Sequence, residues 1–263
     1  MECIAVDWSG ALTGAAERIW IAAARDGRLT TLVAPGSREA VAAALLDRLT
    51  DPSPVLAGLD FAFSLPAWYA TEQGWADVRD IWRAARDAGE SWLRECRPPF
   101  WGRLGTTRPH AVEVGLRVTD GATTGWLRPK SVFQVGGAGS VGTGSIRGMP
   151  MLLALRDAGW AVWPFDAPSA HTLVEIWPRQ FTGPVVKSDR DQRAALLSRD
   201  YPQLQHDWRQ IMAGSEDAFD AGIAAIGMSR MDIPAALAMP VYPVHQIEGR
   251  ICAPASGGST TQR

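Results

Sequence analysis

Cys-Ile-Ala-Val-Asp-Trp-Ser-Gly, residues 3 to 10, decides how the rest of the chain is read. Cys3, Ile4, Ala5 and Val6 form an apolar run suited to a central strand covered on both faces, and Asp7 closes it with a carboxylate just before a turn. Open α/β sheets bind their ligands at the carboxyl ends of such strands. Two later stretches repeat the pattern: Val-Leu-Ala-Gly-Leu-Asp-Phe at 55 to 61 puts Asp60 at the end of a second apolar run, and Thr-Leu-Val-Glu-Ile-Trp at 172 to 177 puts Glu175 in a third. From residue 215, Ser-Glu-Asp-Ala-Phe-Asp-Ala-Gly-Ile-Ala-Ala reads as a helix capped by Ser215, and the spacing of three places Asp217 and Asp220 on one face.

Working outward, residues 18–24 and 28–33 read as strands joined at Asp26-Gly27, a hairpin dipeptide, so the chain opens with three antiparallel strands. Ser37 caps a helix to Leu49, where Val41, Leu45 and Leu46 recur at helical spacing. A right-handed crossover through that helix makes the Asp60 strand parallel to the first and brings Asp7 and Asp60 to one sheet edge. Further helices are expected over 75–88, 146–158, 188–200 and 204–212, with Ser188 and Asp191 in capping-box relation, and strands over 160–163 and 172–177. Residues 66–150 break the rhythm and read as an insertion; the small, polar tail 253–263 reads as disordered.

Composition narrows the function. A formal charge of −2 and a hydrophobic fraction of 46% describe a packed domain with no global attraction for nucleic acid or anionic membranes. Only 66–150 has a positive balance, 11 Lys/Arg against 8 Asp/Glu, nearly all arginine, which forks onto phosphate; an ordinary solvated face is the alternative. No apolar run approaches the roughly 20 residues that span a bilayer, and the chain begins on its first strand, so a cytoplasmic protein is expected. Cys3, Cys96 and Cys252 lack metal-binding spacing, and His110, His171, His206 and His245 are scattered. Most of the twelve tryptophans must be packing. Gly137, Gly139 and Gly142 form a formal G-x-G-x-x-G, but the strand, turn and helix register of a dinucleotide fingerprint is missing, so 136–145 reads as a loop close to the carboxylates.

The order of elements, with acids on the first and fourth strands and on the last helix, resembles the ribonuclease H-like fold: a mixed five-stranded α/β sheet with flanking helices and a large insertion. The phrases Ala-Val-Asp-Trp-Ser-Gly, Gly-Leu-Asp-Phe-Ala-Phe-Ser-Leu-Pro, Val-Glu-Ile-Trp-Pro and Ser-Glu-Asp-Ala-Phe-Asp-Ala-Gly-Ile-Ala-Ala are similar to those of an uncharacterised family of bacterial and archaeal predicted nucleases of that fold. The resemblance implies a nucleic-acid substrate and Mg²⁺ or Mn²⁺ held by Asp7, Asp60, Glu175, Asp217 and Asp220. Phosphodiester hydrolysis gives those acids a physical reason, because two ions roughly 3.5 to 4 Å apart stabilise the attacking and leaving oxygens together. Each acid also has a structural alternative: Asp7 and Asp60 as acceptors of turn amides, Asp217 as a complement to its helix dipole, and Glu175 as the partner of an arginine, Arg179 being the obvious one. One branch of the fold carries a glutamate on the fourth strand; here Asp60 stands there and Glu175 follows one strand later, which leaves open which of them is the direct ligand. Two other functions fit the same pattern: a phosphotransferase of the actin-like and sugar-kinase type, with Asp7-Trp8-Ser9-Gly10 facing phosphate, and a non-catalytic binding module.

Overall fold

The computed structural model describes residues 1–103, 105, 106, 108, 115–121, 129–137 and 139–254. It is a mixed α/β structure around a six-stranded sheet. Strands β1 (Glu2–Asp7), β2 (Trp20–Arg25) and β3 (Arg28–Val33) form an antiparallel meander. The β2–β3 turn is made at Asp26 and Gly27, both at positive φ (51° and 74°), the backbone an Asp-Gly pair tolerates best. Helix α1 (Arg38–Arg48) is capped by the Ser37 side chain, which accepts from the Ala40 N–H at 3.1 Å, and leads to β4 (Val55–Leu59), parallel to β1.

After β4 come α2 (Ala67–Glu72), α3 (Val78–Glu95), the one-turn α4 (Val118–Gly121) and α5 (Gly142–Ala158). The sheet then resumes with β5 (Ala161–Val162) and β6 (His171–Glu175), and the chain continues through α6 (Arg179–Thr182), α7 (Arg190–Asp200), α8 (His206–Gly214), α9 (Glu216–Arg230), α10 (Ile233–Leu237) and α11 (His245–Glu248). The strand order is β3-β2-β1-β4-β6-β5, with β1, β4, β6 and β5 mutually parallel. The sheet has six strands where the resemblance implies five; the strand expected over 160–163 is the two-residue β5, which adds to the edge of β6.

Strand parity divides the core into two layers. Ile4, Val6, Ile21, Val55, Ala57, Leu59 and Leu173 face α1, α3 and α5. Cys3, Ala5, Ala22, Leu56 and Val174 face α8 and α9. Alternate residues of one strand therefore report to opposite sides of the sheet.

The region expected as an insertion over 66–150 does not separate from this core. Ile81, Trp82 and Leu93 of α3 and Ile146, Met149 and Leu152 of α5 share one apolar cluster with β1 and β4. The glycine-rich stretch is also shorter as a loop than its composition suggests, because α5 starts at Gly142 instead of 146. The reason is close packing: a Cβ on Gly142 would collide with the Val132 carbonyl, and one on Gly148 would lie 2.5 Å from the Phe61 ring. The cap of α7 is Asp189, whose Oδ1 accepts from Asp191 N–H (2.9 Å) and Gln192 N–H (3.2 Å), one residue beyond the expected Ser188. His110, Trp126, residues 255–263 of the expected disordered tail, and part of the arginine-rich passage lie outside the described residues. No helix among the described residues is long and apolar enough to cross a membrane.

Candidate active site

The parallel register sets the site. Val6 of β1 pairs with Leu59 of β4, and Leu59 with Glu175 of β6, so the carboxyl ends of three neighbouring strands finish level. Asp7 follows Val6, and Asp60 follows Leu59 and donates its N–H to the Val6 carbonyl at 3.1 Å. Parity then turns both side chains toward the α9 side of the sheet, opposite to Val6 and Leu59. There α9 lies across β1, β2 and β3. Its first turn, capped by Ser215 through the Ala218 N–H at 3.1 Å, brings Asp217 and Asp220 to the same place.

The four aspartates act on one another electrostatically. Asp7 is 8% exposed, and no group among the described residues donates a hydrogen bond to its carboxylate. Burial first, then Asp60, Asp220 and Asp217, push its pKa well above the usual carboxylate range. Asp60 is pushed up to about 8 by burial and then by Asp220. Burial likewise raises Asp217 and Asp220. The counter-charge is Lys187, whose Nζ contacts Asp220 Oδ2, while Asp220 Oδ1 is buried without a partner.

Glu175 lines the same cavity and its charge also raises Asp60, but its carboxylate is held by an arginine. Its register partners are Leu59 and, through β4, Val6, so its side chain leaves the sheet on the opposite face. There Arg117 grips it with two bonds, Nη1 to Oε2 at 2.7 Å and Nη2 to Oε1 at 2.5 Å, and the Phe63 N–H donates to Oε2 at 2.9 Å. Asp120 holds the other side of the guanidinium, Nη2 to Oδ1 at 2.9 Å. Arg117 Nη1 also donates to the Glu248 carbonyl at 3.1 Å, and the Glu248 carboxylate accepts from Ala67 N–H (2.8 Å) and Val118 N–H (2.6 Å). The arginine alternative for Glu175 is thus realised, but by Arg117. Arg179 instead donates from Nη1 to the Val185 carbonyl at 2.6 Å.

A cavity of about 1000 Å³ opens at this sheet edge. Asp60 and Asp217 line it together with Arg18, Arg103, Lys130 and the start of α5. Trp8 ties the acid strand to that helix, its Nε1–H donating to the Gly144 carbonyl at 3.0 Å. Gly10 lies so close to the first turn of α5 that any Cβ would overlap the Gly144 nitrogen, which makes this turn a packed wall of the cavity.

The donor set suits a hard cation. Four carboxylates are the ligands Mg²⁺ and Mn²⁺ prefer, and Asp220 Oδ1 is a buried acceptor without a hydrogen-bond partner. Among the described residues, no three acidic, histidine or cysteine side chains are spaced to hold an ion as they stand. The fit is one of chemistry and burial.

Lys187, Arg117, Asp120 and Glu248 are the site residues that motif reading missed. One signal was available: the chain has 26 basic residues and only two of them, Lys130 and Lys187, are lysines. Lys130 lines the cavity and Lys187 contacts its acids. No protein-family model, curated protein or solved structure matches the chain.

Proposed function

We propose that this chain is a Mg²⁺- or Mn²⁺-dependent phosphodiesterase of ribonuclease H-like fold that acts on nucleic acid, akin to the predicted nucleases its motifs resemble. The observation that carries the reading is the Asp7 carboxylate: buried, without a hydrogen-bond donor, and within the field of three more aspartates. Evolutionarily idle carboxylates are not gathered this way, because their mutual repulsion opposes folding unless a cation repays it. The meander followed by a parallel strand, with the acids at the ends of β1 and β4 and on α9, also supports the fold.

In this reading Asp7, Asp60 and Asp217 hold the ion, with Asp220 beside them. When bound, the ion stabilises charge on the phosphoryl oxygens and lowers the pKa of a water. The chain's own contribution is orientation. Arg18, Arg103 and Lys130, which line the same cavity as Asp60 and Asp217, supply positive charge to a phosphate backbone, and the buried Arg117–Glu175 pair fixes the strand end on which Asp60 depends.

The test is hydrolysis of single- and double-stranded DNA and RNA by the wild type and Asp7→Asn, with Mg²⁺, with Mn²⁺ and with EDTA. Metal-dependent cleavage that disappears in Asp7→Asn while the circular dichroism spectrum is unchanged is the expected result. Full activity in Asp7→Asn overturns the assignment.

A further inference from the structure

Two-ion phosphodiester chemistry needs positive charge on both sides of the scissile bond, and the structure already contains one cation in the acid group. The Lys187 ammonium contacts Asp220 Oδ2, and its side chain is 28% exposed against 7% for Asp220. Its charge acts on Asp7, Asp60 and Asp217 as well, so it lies where the fields of four aspartates converge.

The ammonium is delivered by braced backbone. Arg193, 4% exposed, donates from Nη1 to the Lys187 carbonyl, and its Nε and Nη2 hold the Ala213 carbonyl at the end of α8 (3.1 and 2.6 Å). Val186 N–H donates to Gln192 Oε1 at 3.2 Å, and Asp189 N–H to the Val186 carbonyl at 3.0 Å. Both flanks of Lys187 are therefore pinned to α7. The residue type matters too. Lysine is a compact point charge, closer to a metal ion than a planar guanidinium, and this chain otherwise uses arginine almost everywhere.

We propose that Lys187 takes the place of one of the two cations, so that the centre accepts a single divalent ion, on the Asp7 side, while the lysine neutralises Asp220. The proposal rests on the phosphodiesterase reading and refines it: catalysis then proceeds with one ion and one fixed ammonium.

The experiment is Mn²⁺ titration of the full chain by calorimetry, with electron paramagnetic resonance of the loaded samples, for wild type, Lys187→Met, Lys187→Arg and Asp7→Asn. The expected result is one ion per chain in the wild type and in Lys187→Arg, none in Asp7→Asn, and two in Lys187→Met with the spectrum of a spin-coupled pair. The wild-type stoichiometry carries the test even if Lys187→Met folds poorly. Two ions in the wild type, or one in a folded Lys187→Met, overturns the proposal and leaves the phosphodiesterase reading standing. No ion in any variant overturns both.

Discussion

Arg117 and Glu175 meet in a buried two-bond pair, 2.7 and 2.5 Å, that joins a segment after α3 to the end of β6. Each is nearly inaccessible, with side-chain exposures of 2% and 4%. Neither charge has water to fall back on, so removing one partner strands the other. Arg117→Met should therefore cost about 3–5 kcal/mol in urea unfolding, whereas Arg117→Met combined with Glu175→Met should recover most of that loss, because paired removal leaves no uncompensated Glu175 charge. A double variant as unstable as the single one would show that Asp120 or the Glu248 contact, and not Glu175, is what Arg117 serves.

Asp60 makes stability depend on pH in an unusual direction. Its folded pKa of about 8 lies above the ordinary aspartate value, so between the two the folded state binds the extra proton. Stability is then greatest near the lower value and is lost as pH rises through the window up to about 8. In EDTA, the melting temperature should fall between pH 5 and pH 8.5 by roughly 10 °C, because about three pH units at about 1.4 kcal/mol each shift it by about 2–4 °C per kcal/mol for a chain of this size. Asp60→Asn should flatten that slope, and a slope unchanged by the substitution would assign it elsewhere.

Asp7→Asn should separate stability from ion binding. Removing one charge from the group relieves burial and repulsion together. The metal-free variant is expected to melt higher than wild type at pH 8, and to lose the melting-temperature increase that saturating Mn²⁺ gives the wild type. A variant that melts lower in EDTA would mean that Asp7 is held by a favourable contact.

Gly10→Ala probes the wall of the cavity. The new methyl has no room beside Gly144 and Thr143, both backbone neighbours that cannot rotate away. A loss of about 1–3 kcal/mol is expected, together with weaker quenching of Trp8 fluorescence by cavity ligands as the Trp8–Gly144 bond is pushed apart. Unchanged stability would mean that α5 shifts freely against β1.

The sequence made most of the sheet legible because its signals are local. Apolar runs ending in Asp7 and Asp60, the Asp26-Gly27 turn and the Ser37 and Ser215 caps each specify structure within a few residues. Glu175 shows where this fails. Its neighbours Leu173, Val174 and Ile176 are all buried and apolar, so a strand covered on both faces carries no alternation to say which side Glu175 takes. The start of α5 was hidden for another reason: Gly142, Gly144 and Gly148 have poor helix propensity, and tertiary contacts that exclude any Cβ at Gly142 and Gly148 override it. Arg117 and Lys187 act across 58 and 33 residues of chain, a distance that no local pattern reports.

The acid group draws on positions far apart in the chain. Asp217 and Asp220 come from α9, some 210 positions after Asp7. At about 5–20 residues per second, roughly 10–40 s of synthesis separate them. A chain broken off before residue 187 carries Asp7 and Asp60 but neither Lys187 nor the α9 acids, so the charges that define the centre meet only after α9 has been made.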